Sequence, residues 1–265
     1  MKKYFSLSII CIALVVFYSS AIAQITGRDI MLKVEKQQDT KTRIVKSKMI
    51  LINKQNKTRE RDVVQYVKSV NDPKGVDDKI LIFFEYPADI RGTGLLMISY
   101  SDVNKDDDRW LYLPALKKVR RIAGESKNEY FMGTDFTYDD MGGRSVDQDK
   151  HTLLGEETID GVKCYKIESV PVDKNDIYSK KIGWVIPDKW VHLKVDFYDR
   201  KGQLMKTLKA DDIRNVSGVW LQFNLVMTNL AENHKTILKI IEAKINEPID
   251  DQIFTITALE RGGIR

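Results

Sequence analysis

From residue 40 onward apolar and polar side chains alternate along much of the chain. Val191, Leu193, Val195 and Phe197 are separated by His192, Lys194, Asp196 and Tyr198. A two-residue period puts each set on its own face of one strand. Val219, Leu221, Phe223, Leu225 and Met227 repeat the pattern beside Gln222, Asn224 and Thr228, which predicts a single strand over 219–229. Strands are also predicted over 42–54, 59–70, 162–170, 203–210 and 235–246. Turn chemistry at Gln55-Asn56-Lys57, at Asp160-Gly161 and over 199–202 joins neighbours into hairpins. Residues 80–84 (ILIFF) and 95–98 (LLMI) are apolar at every position. Such strands in an antiparallel sheet are covered on both sides, or line an apolar cavity on one. Only 26–38 has helical spacing, with Ile30, Met31 and Val34 set against Arg28, Asp29, Lys33 and Lys36. The pattern therefore predicts a mainly β protein, an antiparallel meander with one clear helix.

The stretch 109–143 departs from this rhythm. Residues 110–114 read as a strand ending at a proline and 117–122 as its neighbour. A loop over 123–143 follows, too long for a hairpin. It carries Phe131, Met132, Phe136, Tyr138 and Met141 beside Gly133, Gly142 and Gly143. Long loops in compact domains are commonly functional or mobile, and aromatic and methionine side chains suit an adaptable apolar surface. The same side chains also suit core filling, with the loop folded down.

The first 23 residues are of another kind. Lys2 and Lys3, an apolar stretch over 4–18, and Ala21 and Ala23 make a cleavable secretory leader, with cleavage after Ala23 and a mature chain from Gln24. The stretch falls short of the roughly 20 residues of a membrane-spanning helix. Cys11 follows Ile9-Ile10 rather than the small residues of a lipoprotein box. The expected destination is the periplasm, with one domain over 24–265. Loss of Lys2 and Lys3 lowers the formal charge from +5 to +3, too mild to argue for a nucleic-acid partner. Cys164 is then the one cysteine left, so the fold stands on its core without disulfides.

Candidate chemistry is sparse. His151, His192 and His234 lack metal-ligand spacing; His192 belongs to the polar face of its strand and is expected to be solvated. Cys164, mid-strand, reads as a buried inert thiol. Asp102, Asn104 and Asp106 imitate a calcium loop, but Asp107 occupies the glycine position and Leu113 the glutamate position. Gly92-Thr93-Gly94 precedes a strand rather than a helix, the wrong context for a phosphate turn. Lys117, Lys118, Arg120 and Arg121 are either an exposed strand face or a landing site for anionic head groups or an acidic partner. No catalytic residue, metal or cofactor is expected, although a hydrolase site assembled across strands would be invisible to spacing.

Residues 110–122 (WLYLPALKKVRRI) and 131–141 (FMGTDFTYDDM), with 83–87 (FFEYP) and 90–94 (IRGTG), resemble the outer-membrane lipoprotein-sorting branch of the LolA/LolB-like superfamily. The resemblance covers most of the mature chain. It implies a large antiparallel half-open β-barrel, with a few helices covering an apolar cavity. It implies a periplasmic, non-enzymatic carrier or chaperone for the acyl chains of lipoproteins or for free lipid. An inner-membrane transporter and an outer-membrane acceptor are the implied partners. The alternatives are an envelope sensor or interaction domain, and an accessory partner of a membrane lipid exporter. On the carrier reading Trp110 and Tyr112 line the cavity together with Phe83 and Met97. Phe131, Met132, Phe136, Tyr138 and Met141 then supply a cover hinged at Gly133 and Gly142-Gly143.

Overall fold

The computed structural model describes residues 25–263 apart from 71 and 74. The leader, its cleavage point and Cys11 lie outside the described residues. Helix α1 (Gly27–Gln38) starts where the sequence predicts. Thr26 caps it, its hydroxyl accepting from the Asp29 amide while the Asp29 carboxylate accepts from the Thr26 amide. Fifteen strands follow: β1 (Thr42–Ile52), β2 (Thr58–Ser69), β3 (Val76–Tyr86), β4 (Gly94–Tyr100), β5 (Asp108–Leu113), β6 (Lys118–Ile122), β7 (Asp149–Ile159), β8 (Val162–Pro171), β9 (Tyr178–Ile186), β10 (Val191–Asp199), β11 (Leu204–Ala210), β12 (Ile213–Val216), β13 (Val219–Gln222), β14 (Asn224–Asn229) and β15 (His234–Ile245). Short helix α2 (Ile256–Glu260) lies near the C-terminus. Thirteen strands form one antiparallel sheet in the order β6-β5-β4-β3-β2-β1-β15-β14-β11-β10-β9-β8-β7, and β12 pairs with β13 alone.

The sheet is open at β6 and β7 but strongly curled. Arg109 of β5 holds Asp139, and Arg144 holds Asp149 of β7. In strand order β5 and β7 stand eleven steps apart, which a flat sheet would make roughly 50 Å at ~4.8 Å per strand. Residues 139 and 144 are five apart and span at most about 18 Å of chain. Both contacts exist only because the sheet wraps round the segment between β6 and β7. This is the half-open barrel that the resemblance implies.

The two all-apolar runs are covered on both sides. Inward, Ile80, Ile82, Phe84, Leu95 and Met97 join Met49, Leu51, Val63 and Leu111 around Phe131 and Tyr138. Outward, Leu81, Phe83 and Leu96 meet Phe254 and Leu259 of the C-terminal segment. Gly94 permits this crossing: a Cβ there would fall 2.5 Å from the Phe83 ring and 2.7 Å from Leu259. Helix α1 lies on the inner face, with Ile30 and Val34 packed on Ile167 and Val185.

Four expectations need correction. The alternation in β10 is broken by a bulge between His192 and Lys194. Val191 and Leu193 therefore pack on one face with Cys164 and Trp184, whereas Val195 and Phe197 pack on the other with Phe136 and Tyr178. The same bulge turns His192 inward opposite Val185, with its ring against Gly183; burial pushes its pKa down to about 4, so it is not a solvated strand residue. Residues 219–229 are two strands in different sheets. The break falls at Phe223, whose amide donates to Asp212 and whose carbonyl accepts from Ile240. Finally, α1 is not the one helix, since α2 and several 3-10 turns also form.

Candidate functional site

Residues 130–144, here termed the plug, fill the interior. Their backbone folds on itself. Tyr130 bridges Thr137, the Phe131 amide donates to the carbonyl of Phe136 (2.7 Å), and Tyr138 donates to Glu129 (3.1 Å). Met132 and Gly133 take positive φ at the tip. The fold aims aromatic rings at both halves of the barrel. Phe131, fully buried, stacks on Phe84 at 5.6 Å and meets Tyr138 edge-on. Phe136 enters the cluster of Tyr178, Phe197 and Met227, and Met141 touches both sides. The loop is therefore packed core in this state.

Between these rings the plug carries carboxylates, each held by a different strand. Asp135, 2% exposed, accepts from Thr236 and pairs with His234 Nδ1, both at 2.7 Å. Asp139 pairs with Arg109 at 2.7 Å, and Arg109 also holds Asp107 at 2.9 Å. Asp140 pairs with Lys206 at 2.7 Å and accepts from Tyr178. Arg61 of β2 donates to the carbonyl of Met132 at 2.7 Å. At the far end Arg144 grips Asp149 through two nitrogens and reaches Asp176. Apart from Arg144, which meets acidic Asp149 and Asp176, the plug is acidic and apolar and the wall facing it is basic and apolar.

Burial sets the protonation chemistry here. Burial, reinforced by nearby Asp139, raises Asp107 to about 6 despite Arg109. Burial also opposes ionisation of Asp149, but hydrogen bonds from Arg144 and the charge of Lys181 outweigh it and hold that carboxyl below its ordinary range. Tyr178 is pushed far up by burial and by Asp140.

The expected contact residues divide between two faces. Met97, Phe131, Met132, Phe136, Tyr138 and Met141 come together inside. Phe83, Trp110 and Tyr112 share the outer face beneath Phe254 and Leu259. Trp110 and Tyr112 do lie on one face of their strand, but it is not the face the plug fills. The basic residues sit at the β6 edge, where Arg120 pairs with Glu129 and Arg121 with Asp108. Sequence reasoning missed Lys206, which is wholly buried. Its signal was present: Lys206 shares a strand face with Leu208 and Ala210.

The histidines do not assemble nucleophile, base and orienting acid among the described residues. His151 contacts Ser169 and the carbonyl of Val146, and Ser169 is buried. The hydroxyl nearest the His234–Asp135 pair, Thr236, bonds the carboxylate and not the imidazole. A cavity of about 480 Å³ opens onto the plug at Tyr130, Gly133, Thr134 and Asp135, with Asn229 and His234 opposite. On the other face of the sheet a groove of about 580 Å³ runs past Val162, Leu193, Lys209 and Val226.

A family model described as that of an uncharacterized protein matches residues 76–261. The chain is similar to a domain named for outer-membrane lipoprotein sorting from Vibrio parahaemolyticus, at 31% identity over 89% of this chain and 98% of that one, with a TM-score of 0.82. It is similar to a DUF1329 family protein from Desulfovibrio piger, at 31% identity over 88% and 97%, TM-score 0.84. In fold it is similar to a LolA superfamily protein from Nitrosomonas europaea, at 19% identity over 89% and 100%, TM-score 0.69. No curated protein matches the chain.

Proposed function

We propose that this chain, which belongs to the DUF1329 family and shares the fold of a LolA superfamily protein, is a non-enzymatic carrier whose interior takes the acyl chain of a lipoprotein or free lipid when the plug moves aside. The observation behind this is how the plug is held. Its backbone-to-backbone bonds are made within residues 127–142, and every tie to the sheet involves a side chain, of the plug or of the wall. Such a segment leaves without unzipping a β-ladder. Burial of Phe131, Phe136, Tyr138 and Met141 contributes about 1.5–3 kcal/mol each, and an acyl chain gains ~0.8 kcal/mol per methylene, so about ten methylenes offset the loss. The apolar part of the exchange of plug for cargo is then near balance.

The secretory leader and the relative named for lipoprotein sorting support work in the periplasm. A membrane transporter on one side and an outer-membrane acceptor on the other are the natural donor and recipient. Native mass spectrometry for a co-purifying amphiphile, with titration of a fluorescent acyl probe, tests the reading. Wild type is expected to bind saturably. Phe136→Ala weakens the internal competitor and is expected to bind more tightly. Folded wild type and variant that both fail to bind would overturn the reading.

A further inference from the structure

Lys206 has 0% exposed surface. Its ammonium lies 2.7 Å from Asp140 Oδ2 and 3.1 Å from the carbonyl oxygen of Asp135. The rings of Tyr130, Tyr178 and Phe197 surround it at 5.8, 5.0 and 5.3 Å. Among the described residues, every oxygen the ammonium contacts belongs to the plug. The other wall cations that grip the plug are less dependent on it. Arg109 keeps Asp107, Arg61 lies over the Phe84 ring, and His234 borders the open cavity. When the plug withdraws, Asp135, Asp140 and the Tyr130 ring leave with it, and of these cations Lys206 alone is left against the Tyr178 and Phe197 rings of the wall with no counter-charge in contact. A buried ammonium in that condition is strongly unfavourable.

We infer that Lys206 is the head-group site of the carrier, and that its cargo is a single-chain amphiphile with an anionic carboxylate or phosphate group. The plug is then an internal mimic of that cargo. Asp140 stands in for the head group, and Phe136, Tyr138 and Met141 stand in for the chain. Withdrawal of the plug is compensated only when an anion replaces Asp140, which makes head-group charge a condition of loading. An uncharged amphiphile fills the apolar space but leaves the ammonium bare. This inference rests on the carrier reading and adds to it the class of cargo and the residue that selects it.

The test compares laurate, dodecyl phosphate and neutral monolaurin on the full chain by competition with a fluorescent acyl probe. Wild type is expected to favour the two anions over monolaurin by roughly tenfold or more, as a charge-assisted hydrogen bond provides. Asp140→Asn removes the internal competitor and is expected to tighten the anions further. Lys206→Met leaves Asp140 without its counter-charge, held only by Tyr178 and the Thr137 amide, so Lys206→Met/Asp140→Asn is the variant to measure; it is expected to bind all three probes alike. A preference for laurate alone or dodecyl phosphate alone, lost in the double variant, supports the site and identifies its head group. Equal binding of all three by wild type, or an anion preference that survives in the double variant, overturns the inference and leaves the carrier reading standing. Absence of binding by folded wild type and Asp140→Asn overturns both.

Discussion

Asp107 carries a cost that its Arg109 partner does not remove. Its folded pKa of about 6 lies above the ordinary 3.8. A carboxyl raised in the folded state gives stability that is complete below about pH 3.8 and is lost as pH climbs through about 6. Ionised Asp107 therefore destabilises the neutral-pH protein by at most about 3 kcal/mol. Asp107→Asn is expected to raise Tm at pH 7.5, and the gain should shrink to nothing by about pH 4; a gain independent of pH would contradict this origin. Phe131 is the opposite case. Its ring is fully buried between Phe84 and Tyr138, so Phe131→Ala is expected to cost about 3–5 kcal/mol in denaturant unfolding. The half-buried Met132 beside it should cost distinctly less. A cover whose residues were cheap to replace would give small losses at both. At this scale the sequence was partly legible. Periodicity alone puts Lys206 on the inward face of its strand, but Asp135, Asp139 and Asp140 acquire meaning only from strands about 30 to 100 residues away.

Among elements, turn chemistry was the most readable signal. Asp160 and Gly161 both take positive φ in the β7–β8 hairpin, as the dipeptide predicts. The β10 bulge was not readable, because one extra residue leaves the apolar alternation looking regular while moving Val195, Phe197 and His192 to the other face. The outer placement of Trp110 and Tyr112 was hidden for a related reason. Alternation says they share a face but not which face, and the choice is made by the C-terminal segment that covers them. That segment is testable through Gly94. Gly94→Ala drives a methyl into Phe83 and Leu259. It is expected to cost about 1–3 kcal/mol by overpacking and to open residues 247–263 to limited proteolysis. Unchanged stability with an intact C-terminus would show that the segment packs elsewhere in solution.

For the whole molecule, the decisive feature is a sheet with two free edges spanned by charges rather than by a ladder. Asp107, Arg109, Asp139, Arg144, Asp149 and Lys181 run from β5 through the plug to β7 and β9. The half-open architecture was legible through the family resemblance; the clasp was not, since its members are scattered over 75 positions of sequence. In the carrier account the clasp and the aromatic rings hold the same segment in place, and loading releases both. Hydrogen exchange at the plug amides, with and without saturating laurate, examines this most directly. The account predicts that Phe131, Thr134, Tyr138 and Met141 amides lose protection on loading while β1, β2 and β15 keep theirs. Saturable laurate binding that leaves plug protection unchanged, or increases it, would contradict displacement of the plug by cargo.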